Sequence, residues 1–161
     1  MSTVTLDPLS DEEYAAWLDR TMRAYADDKV RSGTWLPGEA LDRSRAECQR
    51  LLPDGPASVG NYLFSIRNQE GQHVGVLWFA VVSKSGAREA FMYDVLVFEE
   101  FRLRGYAYAA MKLLEEKAGA LGVDKIVLHV FGFNHEALAL YQKLGYEISD
   151  YTMAKPCPPR P

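Results

Sequence analysis

The sequence predicts an α+β fold with a mixed, largely antiparallel central sheet, and three observations carry that prediction. Residues 61–98 hold three β-patterned runs separated only by short polar turns, the layout of an antiparallel meander. Two amphipathic helical patterns precede them. A strand–helix–strand succession follows near residues 90–130, and such a crossover is right-handed and makes its two strands parallel.

The elements follow in order. Ser10 with Glu13 three residues later forms a capping box, and Asp11 and Glu12 suit the positive end of a helix. Tyr14, Trp17, Leu18 and Tyr25 then recur at helical spacing, predicting a helix over 11–29. A second helix is expected over 37–52, with Leu41, Cys48 and Leu52 inward, stopped by "PDGP". The strands are "NYLFSIRN" (61–68), "HVGVLWFAVV" (73–82) and "REAFMYDVLVF" (88–98). The next helix carries Ala107, Ala110, Met111, Leu114 and Ala118 on one face and stops near Gly122. "KIVLHVF" (125–131) reads as a buried strand. Asn134 caps a helix with Ala137, Leu140, Tyr141 and Leu144 on one face, ended by Gly145. "YEISDYTMAK" (146–155) reads as a last strand, and the proline-rich tail 156–161 cannot extend a sheet. One domain over 1–155 is expected: a helical part at about 1–57 and a core at about 60–153.

Composition limits the function. The 161 residues are 48% hydrophobic and 25% charged, with a net charge of −4. That is a globular profile without a global field for nucleic acid or anionic lipid, so neither is an expected partner. No stretch approaches the roughly 20 apolar residues of a membrane helix. Cys48 and Cys157 stand far apart, which gives no disulfide framework and suits a reducing cytoplasm. His73, His129 and His135 have no metal-ligand spacing, so no metal is expected.

The turn "RLRGYA" opens the helix of the crossover. A helix start offers unpaired N–H donors and a positive dipole end, and a glycine lets an anion approach the backbone. Arg102 and Arg104 are unfavourable to that dipole, which makes sense if an anion lies between them and it. Alone, the turn reads equally as a tight strand-to-helix corner. It lacks the Lys-[ST] of a P-loop and the three glycines of a dinucleotide site.

Strand, R-x-x-G-x-A, helix, strand and then N-x-x-A-x-x-L-Y-x-x-L-G-Y form a long ordered constellation. On these residues the chain resembles the GCN5-related N-acetyltransferase (GNAT) superfamily over about 60–153. The resemblance implies the acyl-CoA N-acyltransferase fold, with helices on both faces of the sheet and a splayed parallel strand pair. It implies an acetyl-CoA-dependent N-acetyltransferase acting on a small-molecule or peptide amine by direct attack in a ternary complex. A CoA-binding module of the same fold without turnover is the alternative. A homodimer is compatible with the resemblance.

Residue by residue, the resemblance places the pantetheine arm against backbone groups of Leu96 and Val97 and against Asn134. It places the pyrophosphate on Arg102, Leu103, Arg104, Gly105, Tyr106 and Ala107. Leu96 and Val97 side chains remain core residues, and Asn134 remains a helix cap. Tyr141 matches the general-acid position: a phenol near pKa ~10 keeps its proton while a thiolate of pKa roughly 8.5 departs. Its other reading is an inward aromatic on a short helix. The base is His129 or Asp94, and each reads equally as a structural residue, one a sheet histidine and the other a partner of a loop N–H. Tyr14, Trp17, Tyr25 and Trp35 either wall an acceptor pocket or form the inward stripe of two helices.

Overall fold

The computed structural model describes residues 2–161. Its strands are β1 (Thr5–Pro8), β2 (Asn61–Arg67), β3 (His73–Lys84), β4 (Ala87–Val97) and β5 (Lys125–Leu128). Its helices are α1 (Asp11–Arg31), α2 (Ala40–Leu51), α3 (Tyr106–Ala120) and α4 (His135–Lys143). The strands form one sheet in the order β1-β2-β3-β4-β5, antiparallel except for the parallel pair β4–β5. No helix among the described residues is long and apolar enough to cross a membrane.

Each face of the sheet buries one apolar cluster. Ile66, Leu77, Phe79 and Met92 meet Ala110, Met111, Leu114 and Ala118 of α3 and Tyr141 of α4. The alanines let α3 lie close, and each fully buried Met or Leu contributes about 1.5–3 kcal/mol. On the opposite face Leu63, Val76 and Trp78 meet Trp17 of α1 and Leu52. The expected box closes α1: the Ser10 hydroxyl accepts from the Glu13 N–H (3.1 Å) and the Glu13 carboxylate accepts from the Ser10 N–H (3.3 Å).

Three expectations need correction. The four residues of β1 were not foreseen, because "TLDP" is too short to show a period; it pairs antiparallel with β2. Residues 146–155 form no strand and are mostly exposed. Their apolar residues fall at 146 and 148 and then at 151 and 153, so the alternation slips by one and no single register turns both pairs to one face. The strand expected over 125–131 stops at Leu128, where the β4–β5 ladder ends at Met92.

Candidate active site

The end of that ladder has a local cause. On the other edge of β4, Trp78 pairs with Asp94 and Phe79 with Met92, so Tyr93 has no opposite residue and forms a β-bulge. Straight alternation would put Met92 and Asp94 on the same face. The extra residue breaks the alternation. Met92 packs with Phe79 on the α3 side, whereas Asp94 lies with Trp78 on the α1 side. Beyond Met92 the β5-facing edge of β4 has no partner strand among the described residues.

Asp94 lies two residues past the end of that ladder and is half-buried. Trp17 Nε1–H donates to its Oδ2 (2.8 Å), and Thr21 Oγ1 donates to the same atom (3.4 Å), leaving Oδ1 without a protein donor. Burial pushes its pKa up to about 6, and the two donors only partly offset that. Tyr141, inward on α4, is buried, and burial together with the nearby Asp94 charge pushes its phenol up to about 12. Asp94 and Tyr141 are thus near enough to interact electrostatically, one mostly ionised at neutral pH and the other firmly protonated.

His129 is not one of that pair. It lies just past β5, exposed, with its ring edge-on to Phe131 at 4.9 Å. Burial of part of the ring and the Lys29 ammonium lower its pKa. Phe131 stacks on Phe133 (5.3 Å), and the Arg31 guanidinium lies 4.0 Å over Phe133, so the segment after β5 abuts the end of α1. Asn134 caps α4 as expected, its Oδ1 accepting from the Ala137 N–H (3.2 Å), which leaves the amide NH₂ free of protein partners.

After β4, a short 3₁₀ turn over Glu99–Phe101 leads to Gly105 at the start of α3, in the left-handed region with φ of 82°. Leu103 shares that region at φ of 61° with its side chain fully exposed, so packing does not hold it there. Among the described residues, the main-chain N–H groups of Leu103, Arg104, Gly105, Tyr106, Ala107 and Tyr108 donate to no protein acceptor. Both arginines brace the turn: Arg102 Nε–H donates to the Val97 carbonyl (3.1 Å) and Arg104 donates to the Glu100 carbonyl (3.1 Å). Each guanidinium keeps further donors for an anion. Ser2 lies against Gly105 and its hydroxyl donates to the Arg104 carbonyl. A row of N–H groups without acceptors at a glycine-started helix, with two cations beside it, fits a pyrophosphate.

Of the four N-terminal aromatics, Trp17 is a core residue and Tyr14 packs on its cluster. Tyr25 and Trp35 meet edge to face at 5.5 Å farther along α1. Sequence reading missed the Tyr93 bulge, the Trp17 and Thr21 bonds to Asp94, and Gly75. A Cβ built on Gly75 would lie 2.0 Å from the Leu96 carbonyl oxygen. Gly75 thus lets β3 approach β4 beside Leu96 and Val97, and an isolated glycine inside a strand pattern is a signal for such an approach.

The Acetyltransferase (GNAT) family model matches residues 9–146. The chain is 37% identical over 153 residues to the uncharacterized N-acetyltransferase YycN of Bacillus subtilis (strain 168), covering 95% of this chain and 98% of YycN. It is 34% identical over 151 residues to YdgE of the same organism, also named an uncharacterized N-acetyltransferase, covering 94% and 96%. The crystal structure of YycN superposes with a TM-score of 0.91 at 36% identity, covering 98% of this chain and all of that one (100%).

Proposed function

The chain belongs to the acetyltransferase (GNAT) family and is an N-acetyltransferase, and from that premise we propose that it moves an acetyl group from acetyl-CoA to a primary amine by direct attack in a ternary complex. The observation that carries this reading is the proximity of an ionisable Asp94, just past the β4–β5 ladder, to a protonated Tyr141. Acetyl-CoA supplies the activated thioester.

The chain's own groups divide the remaining tasks. The N–H row from Leu103 to Ala107, with Arg102 and Arg104, binds the pyrophosphate. Backbone groups of Leu96 and Val97, with the Asn134 amide, orient the pantetheine arm. Asp94 Oδ1 takes a proton from the incoming ammonium, because Trp17 and Thr21 already occupy Oδ2 and hold the carboxylate in place. Tyr141 keeps its proton on Oη through neutral pH and gives it to the departing thiolate. Asp94 is preferred to His129 as the base because it lies near Tyr141, while His129 faces the end of α1. Neither cysteine is needed: Cys48 is buried with its thiol pKa raised, and Cys157 is in the exposed tail.

Calorimetry with acetyl-CoA and thiol release with an amine panel, on wild type and Tyr141→Phe, test the reading. The expected result is equal acetyl-CoA affinity for both proteins and a turnover loss of about 10²-fold or more for the variant. A wild type that does not bind acetyl-CoA at high micromolar concentration overturns the donor assignment. A variant that matches wild-type turnover at every pH removes Tyr141 as the acid.

A further inference from the structure

The acceptor side of the site is floored by one stripe of α1. Trp17 and Thr21 touch Asp94, and Tyr25 and Lys29 continue the stripe at four-residue intervals away from it. Lys29 Nζ lies 5.4 Å from the Tyr25 ring centroid and 5.3 Å from that of Trp35, held by two aromatic faces. Its ammonium also acts on His129, just past the end of β5. Arg31, stacked on Phe133, stands on the same rim, and Arg50 of α2 is near enough to Tyr25 and Tyr93 to act on both phenols.

Among the described residues, Lys29, Arg31 and Arg50 have no carboxylate within 4.0 Å, whereas Arg23, Arg43 and Arg45 on the outer faces of the same helices are all paired. Nearby negative charge comes from Glu47, beside the Tyr25 hydroxyl, from Asp28, beside Arg31, and from Asp27, beside Asp28. The rim thus keeps three cations without partners, one of them fixed by aromatic rings, at a set distance from the base. An acceptor with an anionic end would be drawn in and aligned.

The distance sets the length of that acceptor. Lys29 is eight residues beyond Thr21, a rise of about 12 Å along the helix, and its Nζ reaches back over Tyr25, one turn or ~5.4 Å nearer to Asp94. We propose that the acceptor is an extended primary amine bearing an anionic group roughly 6–12 Å from its nitrogen, with Lys29 as the specificity-determining cation. An extended chain spans at most about 3.3–3.6 Å per residue, so a peptide of two or three residues with a free carboxylate fits. A single α-amino acid, with both groups on one carbon, is too short. This rests on the acetyl-CoA reading above and names the acceptor class for the same site.

The test compares tri-alanine with tri-alanine amide and with alanine in thiol release from acetyl-CoA, using wild type, Lys29→Met and Lys29→Arg. Calorimetry on the same preparations checks acetyl-CoA binding, which keeps failure of the donor reading distinguishable. Wild type is expected to favour the free acid over the amide by at least tenfold in kcat/KM, chiefly through KM, and to use alanine poorly. Lys29→Met should erase the preference by lowering kcat/KM for the free acid to the level of the amide, and Lys29→Arg should restore most of it. The proposal is overturned by an amide used as well as the acid, by a preference that survives in Lys29→Met, or by a wild type that binds acetyl-CoA and acetylates none of the three.

Discussion

Replacing Gly75 by alanine should injure the site although Gly75 itself meets no substrate. The added Cβ falls 2.0 Å from the Leu96 carbonyl oxygen, 3.0 Å from its carbon and 3.1 Å from the Val97 Cα. All three are backbone atoms, so no side-chain rotation relieves the clash. Carbon contacts settle near 3.5 Å, so β3 and β4 must part by about 1.5 Å at this point. Ladder hydrogen bonds of about 2.9 Å do not survive such a gap, and the strain and lost bonds together cost about 2–4 kcal/mol. The displaced segment is the one assigned to the pantetheine arm, where a 1 Å misplacement can cost about 10²-fold in rate. Calorimetric titration with acetyl-CoA, steady-state thiol release and thermal denaturation should show weakened binding, a rate loss of about that size and a lowered Tm. Gly119→Ala is the control: it lies in α3 with nothing within 4 Å of an added Cβ, and should stabilise by about 0.5–1 kcal/mol with activity intact. A Gly75→Ala protein that binds acetyl-CoA and turns over like wild type would refute the reasoning.

Two further outcomes concern stability. Ser65 is fully buried on β2 and its hydroxyl finds no partner, so Ser65→Ala should raise the urea midpoint by an amount equivalent to about 1 kcal/mol; a clear destabilisation would mean the hydroxyl is satisfied. Asp94 ionises near 6 in the folded chain against 3.8 ordinarily, so the folded state holds a proton between those values that the unfolded state has lost. Stability is therefore lost as pH rises through that window, by up to about 3 kcal/mol. Asp94→Asn should be the more stable protein at pH 7.5, with the difference closing toward pH 4; equal denaturation curves at both pH values would contradict the raised pKa.

The helices and the meander were legible because long periodic segments carry redundant signals. The capping box at Ser10, the inward face of α3 and the Asn134 cap each rest on several residues at fixed spacing. Residues 146–155 misled because the residue types suit a strand while the phase of their alternation does not. Tyr141 was singled out by the motif and Asp94 as a carboxylate inside an apolar strand, but their proximity was not legible. It depends on the Tyr93 bulge, and "MYDVL" is apolar on both sides of Asp94, so the sequence holds no mark of which face the carboxylate takes. His129 was drawn into the candidate site by its place on an expected strand; ending β5 at Leu128 left it on the rim beside Lys29. Lys29 gave no signal of its own, because a lysine near a helix end is ordinary charge complementarity to the dipole. Only the folded chain shows it against two rings without a carboxylate.

The central claim, that Asp94 is the base in an acetyl-CoA site, is tested most directly by the pH dependence of kcat for wild type and Asp94→Asn at saturating acetyl-CoA and amine. The wild-type profile is expected to fall below pH about 6, and the variant to be reduced about 10²–10⁴-fold and to lack this limb. A variant that keeps both the wild-type rate and the acidic limb would contradict that claim.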